Sequence, residues 1–256
     1  MFNYKVVFGY SGTYFSGSQF QPKQRTVEGE LLKALQRIYK KRVPVQLAGR
    51  TDAGVHAEGQ VFNYITEKSI KASILKKALS GHLPEDIWIQ EIKEINLAFN
   101  ARKDAFSREY QYLFSEQDIP YHLRDFIVQI RRIKNVHFLV ELPKILVGTH
   151  NFKNFMNTGS TFKTTNKTIY KVSIQKKEVK TFFNLKKVFV YYKFSICGDG
   201  FLYRMVRNLV GGLFEMLRAK LTLSDFMALL DKNERFCMYT TAPAKGLCLF
   251  KINYQE

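Results

Sequence analysis

Tyr4–Tyr10 is a short apolar stretch that reads as a strand, and the segment Ser11–Arg25 behind it carries four turn signals, Gly12, Gly17, Ser18 and Pro22. Val27, Leu31, Leu32, Leu35, Ile38 and Tyr39 then fall on one helical face. Thr26 stands at the N-cap position of that helix, Glu28 and Glu30 lie in its first turn, and Lys40-Lys41-Arg42 closes it. A strand is expected over Val43–Leu47, a glycine-rich loop from Gly49 to Gly59, and another strand over Gln60–Thr66. Ile70, Ile74, Leu75 and Leu79 mark a second helix ending at Gly81, and Ile87–Ile95 a fourth strand. The order β-α-β-β-α-β is that of the ferredoxin-like unit, which RNA-recognition domains also use.

Ser107–Leu113 adds a strand with Tyr110 and Tyr112. Ser115–Asn135, with Pro120, His122 and the cations Arg124, Arg131, Arg132 and Lys134, reads as a crossover. A helix near Val136–Val147 leads to the loop Gly148–Thr165. Strands are expected at Thr168–Gln175 and Val188–Ile196 around a lysine-rich turn, then a long helix over Phe201–Lys220, a short helix from Ser224 and a last strand over Gly246–Tyr254. The fold class is therefore α+β. Two ferredoxin-like halves, 1–115 and 116–256, are expected to share a mostly antiparallel sheet with helices on one face and a central cleft. No repeat is visible at the residue level.

Composition adds one unusual fact. The chain carries 40 Lys+Arg against 22 Asp+Glu, a net charge of +18. Such charge favours a polyanionic partner, nucleic acid or an anionic membrane face. Lysine-rich usage alongside many Phe, Asn and Ile also follows from a biased genome, so charge leaves that choice open. Three widely spaced cysteines (Cys197, Cys237, Cys248) give neither a disulfide framework nor a thiolate zinc site. With no secretory pattern at Met1–Lys5 and no apolar run of about 18 residues, a cytoplasmic protein without a membrane span is expected.

Phosphate-binding and dinucleotide signatures are absent, as are G-x-S-x-G and H-E-x-x-H. His56-Ala57-Glu58 matches half of a zinc deaminase, but the P-C-x-x-C pair that completes the zinc shell is missing. The remaining constellation is the loop Gly49-Arg50-Thr51-Asp52-Ala53-Gly54-Val55-His56-Ala57. Its bland reading is a solvated turn. Its sharper reading is a carboxylate kept ionised by guanidinium groups and able to attack a sugar carbon or to stabilise positive charge there.

That nonapeptide resembles the signature of the tRNA pseudouridine synthase A family. Further likenesses follow in the family's order: Phe99-Asn100-Ala101-Arg102 with Arg108-x-Tyr110-x-Tyr112, then Met205-Val206-Arg207-Asn208-Leu209-Val210-Gly211, then Ala242-Pro243-Ala244-Lys245-Gly246-Leu247. Weaker echoes lie at Gly12-Thr13-x-Phe15-x-Gly17-x-Gln19 and at His150–Phe155. Departures are Ser11 for the usual Asp, Ser18 for Trp, Lys167 for Arg and Ala244 for a frequent second Pro.

The resemblance implies a cofactor-free, metal-free isomerase that converts uridine to pseudouridine at positions 38–40 of the tRNA anticodon arm, acting as a homodimer. By the same resemblance Asp52 is the catalytic group, as nucleophile at the ribose or base or as the base that forms a glycal, Tyr110 stacks on the uracil, and Arg207 pairs with Asp52. Arg50, Arg108, Arg204 and Leu247 are expected to contact the substrate, with Arg50 entering the RNA beside the flipped nucleotide. Lys163, Lys167, Lys176 and Lys177 of the lysine-rich stretch are expected along the tRNA backbone. The alternatives are a non-catalytic tRNA-binding protein or RNA chaperone and, more remotely, the zinc-dependent deaminase.

Overall fold

A computed structural model describes residues 1–158, 164–181, 184–231 and 239–255. These hold ten strands, mostly antiparallel, and five α-helices, a mixed α+β protein. The chain divides into two compact units. One is Met1–Arg108 together with the strand from Cys248 onward, and the other is Glu109–Leu247. The division differs from the halves expected at 115 and 116. The first unit takes back the last strand, because a strand's backbone groups are satisfied by whichever edge it pairs with, wherever it lies in the sequence.

The first unit has the expected order: β1 (Phe2–Tyr10), α1 (Val27–Tyr39), β2 (Gln46–Leu47), β3 (His56–Thr66), α2 (Ala72–His82) and β4 (Ile87–Ile95). β1 lies between β4 and β3, antiparallel to both, and β2 pairs with β3. β10 (Leu247–Tyr254) runs parallel to β3, with Cys248 opposite His56 and Leu249 opposite Ala57. Alternate residues of β1, Tyr4, Val6, Phe8 and Tyr10, are buried with Phe62, Tyr64, Leu31, Leu35, Leu75 and Leu79. Helix α1 starts where the sequence places it, with Thr26 Oγ1 accepting from the Gly29 N–H at 3.2 Å.

In the second unit β5 (Ala105–Ser115) ends, and β6 (Val128–Gln129), α3 (Phe138–Leu146), β7 (Gly148–Asn151), β8 (Asn166–Thr181), β9 (Asn184–Gly198), α4 (Met205–Leu217) and α5 (Leu223–Asp231) follow. The strand order is β5-β9-β8-β7. Phe114, Phe194, Leu209, Leu213, Phe214 and Phe226 are buried between sheet and helices.

Two expectations change here. The lysine-rich stretch expected as a turn is largely strand: Lys176 sits opposite Tyr192, Lys177 opposite Tyr191 and Lys180 opposite Val188. Aromatic and β-branched residues of β9 give those lysines a partner strand, which outweighs their weak strand preference. The long helix starts four residues later than expected, because Arg204 takes a left-handed backbone (φ 60) ahead of it. No helix among the described residues is long and apolar enough to cross a membrane.

Candidate active site

The loop between β2 and β3 carries Arg50 and Asp52. Asp52 opens a tight turn in which the Val55 N–H donates to the Asp52 carbonyl at 3.2 Å. Gly54 occupies the left-handed position of that turn (φ 76), where a side chain is strained. Arg50 is exposed and Asp52 half-buried.

The turn is not a free solvated loop, because the segment after β1 is folded against it. Ser18, fully buried, accepts from the Thr51 N–H at 2.8 Å, and its own N–H donates to the Thr51 carbonyl at 3.1 Å. The Thr51 and Tyr10 hydroxyls are bonded at 2.7 Å. The Gly12 N–H donates to His56 Nδ1 at 3.0 Å, and the Gly54 N–H donates to the Phe15 carbonyl at 3.4 Å. A Cβ on Gly12 would lie 2.1 Å from the Val55 carbonyl oxygen, so only glycine lets the two segments approach this closely. Beneath Phe15, the Arg25 guanidinium stacks at 4.1 Å and forks onto Asp86 at 2.7 and 2.9 Å.

Arg108, expected at the substrate, is half-buried and braces the root of the same loop. Its guanidinium donates to the carbonyls of Ala48 (3.4 Å), Arg102 (3.1 Å) and Ala105 (3.3 Å). His56 and Glu58 part company: His56 is buried against Gly12, while Glu58 is exposed and accepts from Gln90 Nε2 at 3.1 Å. Among the described residues no group of three or more His, Cys, Asp and Glu side chains is placed to hold a metal ion.

Tyr110 and Arg207 belong to the second unit. The half-buried Tyr110 ring meets Phe201 edge-on at 5.2 Å. Arg207 is tied to the closing motif twice: its Nε donates to the Ala242 carbonyl at 2.8 Å, and the Ala242 N–H donates back to the Arg207 carbonyl at 3.2 Å. The next residue of that motif, Pro243, accepts from the Tyr112 hydroxyl at 2.8 Å. Burial pushes the Tyr112 hydroxyl's pKa up, with the Arg207 charge pulling weakly the other way. Tertiary packing thus joins Tyr112 to the third and closing motifs within one unit.

Asn208 is the member of this group that helical spacing alone leaves unassigned. With Arg204, Arg207, Gly211, Glu215 and Arg218 it forms a polar helical face whose ordinary fate is solvation. The structure buries it instead: its Nδ2 donates to the Phe155 carbonyl and to Asn157 Oδ1, both at 2.8 Å, and its Oδ1 accepts from Thr241 at 2.7 Å. The available signal was its position within the third motif. Arg204, just before α4, lies 5.0 Å from the Tyr203 ring, and Leu247 is buried at the start of β10. Lys176 is exposed and Lys177 half-buried on β8, Lys167 lies on the same strand, and Lys163 lies outside the described residues.

The sequence profile of a family described as tRNA pseudouridine synthase matches residues 7–102 and 143–255. The chain belongs to the tRNA pseudouridine synthase family. Curated relatives agree over nearly full length. The "tRNA pseudouridine synthase A" of Shouchella clausii is 39% identical across 96% of this chain and 91% of its own. The proteins of that name from Thermosipho melanesiensis (37%; 98% and 99%) and Geobacillus kaustophilus (34%; 98% and 94%) are similar.

Proposed function

We propose that this protein isomerises uridine to pseudouridine in tRNA, with positions 38–40 of the anticodon arm as its targets. The observation that carries the reading is the Gly49–Ala57 turn, which presents Asp52 from a backbone fixed on both sides by buried hydrogen bonds. Preorganisation of this kind is what a nucleophile acting at a sugar carbon requires.

In the reaction the uracil N1–C1′ bond breaks, C1′ joins C5 of the same base, the C5 proton leaves and N1 takes one up. Oxidation state is unchanged overall and water is not consumed. Asp52 is assigned the attack on the ribose or base. Tyr110 is assigned the stack on the uracil, its hydroxyl serving the C5 proton. Arg207 is assigned the cation that keeps the carboxylate ionised. With its Nε given to Ala242, its terminal nitrogens are the ones that would serve a carboxylate. Arg50, exposed beside Asp52, is assigned the space left by the extruded base. A homodimer is part of the proposal, and light scattering of the purified protein tests it.

The decisive experiment incubates the protein with unmodified tRNA transcripts and maps pseudouridine at nucleotide resolution, with Asp52→Asn alongside. Pseudouridine at positions 38–40 that disappears in Asp52→Asn is the expected result. A wild type that binds those tRNAs and forms no pseudouridine would turn the reading into that of a tRNA-binding protein.

A further inference from the structure

The segment between β5 and α3 lies between the two stretches that the family profile matches, and the chemistry above leaves it unused. It belongs to the second unit. Ile119, Ile127 and Phe189 form a small buried cluster against which Leu123 and Tyr191 pack. The Leu123 N–H donates to the Pro120 carbonyl at 2.9 Å and the Ile127 N–H to the Leu123 carbonyl at 3.0 Å. Ser115 Oγ donates to the Val190 carbonyl at 2.6 Å, and the Val190 N–H donates to Gln117 Oε1 at 3.0 Å, which stitches the segment's start to β9.

With its apolar side so anchored, the short helical turn Tyr121–Leu123 holds Tyr121 outward, 83% exposed, more than any other large apolar side chain among the described residues. The Arg124 guanidinium lies 5.8 Å from its ring. Lys245 of the closing motif donates its ammonium to the Arg124 carbonyl at 2.8 Å, bringing a second cation to the same turn. Of the acids nearby, Asp118 pairs with Arg131 at 3.8 Å and accepts from Gln129 Nε2 at 2.9 Å. An aromatic face held in water by a packed turn loses little conformational freedom when something stacks on it. A flanking guanidinium then suits an anion attached to that stacking group.

We propose that Tyr121 is a stacking platform for an unpaired base of the RNA substrate, with Arg124 and Lys245 taking the adjoining phosphate. The proposal rests on the reading of this protein as acting on tRNA and adds a contact remote in sequence from Asp52. A nucleotide combines a π-face with an adjacent negative charge, and a paired helix would offer no free face to the ring.

The test is the equilibrium binding of an unmodified tRNA transcript, without turnover, to wild type, Tyr121→Ala, Tyr121→Phe and Arg124→Gln. Thermal melting checks that each exposed-residue variant remains folded. Tyr121→Ala raises Kd roughly 5- to 100-fold, while Tyr121→Phe stays within about two-fold of wild type. Arg124→Gln lowers the slope of log Kd against log salt by about one. Unchanged Kd in both Tyr121→Ala and Arg124→Gln overturns the proposal and leaves the turn as a surface for something other than RNA. Pseudouridine formation by wild type is scored separately. Binding without isomerisation would sink the proposed reaction while the Kd comparison still judged Tyr121. No binding by wild type would sink both.

Discussion

Ser18 and Thr51 hold each other twice, through the Thr51 N–H to Ser18 Oγ at 2.8 Å and the Ser18 N–H to the Thr51 carbonyl at 3.1 Å. Thr51 is the residue before Asp52, so this reciprocal pair sets where the carboxylate stands. Ser18 is also the position at which the resemblance read from the sequence expects Trp. The departure therefore falls on a buried hydrogen-bonding group that braces the loop from within.

Ser18→Ala leaves the Thr51 N–H buried without that acceptor, at a cost of about 1–3 kcal/mol. The expected outcome is a kcat for pseudouridine formation roughly ten-fold lower with KM within about two-fold, read from initial rates on a tRNA transcript. A change confined to KM would instead place Ser18 in tRNA binding.

Gly12→Ala is expected to be worse than Ser18→Ala. Its new Cβ would press to 2.1 Å from the Val55 carbonyl oxygen, so the β1 segment and the Asp52 turn must separate. Urea denaturation should show a loss of about 2–4 kcal/mol, and activity should fall further than in Ser18→Ala. A near-normal urea midpoint would mean that the two segments can part without cost.

Asn208→Ala removes a side chain that satisfies Phe155, Asn157 and Thr241 at once. A loss of about 2–4 kcal/mol is expected in chemical denaturation. Arg207→Ala, which loses the Nε bond to Ala242 and the assigned cation, should cost more turnover than Asn208→Ala does. Equal effects of the two variants on both readouts would contradict the division between brace and functional cation.

Burial pushes the Cys248 thiol from its ordinary value near 9 up to about 12. An acid whose folded pKa is raised leaves stability intact below its unfolded pKa and erodes it above, because only the unfolded chain then releases the proton. Stability should therefore decline from about pH 9 upward, and Cys248→Ser should flatten that decline. A pH profile from denaturant titrations, identical in the two proteins, would show that the thiol contributes nothing.

Local pattern carried much of this protein. Periods of two and of 3.6 residues, with the Thr26 cap, located β1, α1, α2 and β4, and their order gave the ferredoxin-like unit. The family's motifs were legible as strings, and the Asp52 loop was visible as a glycine-rich turn. The short strands β6 and β7 escaped, since segments of two and four residues have too little periodicity to register. The lysines of β8 were read as a turn because their own preferences say so, and only the partner strand overrules them.

What tertiary structure alone decided is which polar groups are internal. Ser18, His56 and Asn208 look in sequence like residues of turns and solvated faces. In the fold, each faces a backbone or side-chain group that sits next to it only because segments distant in the chain have been packed together. A buried hydrogen bond needs two partners, and a linear sequence specifies each partner without specifying that they meet.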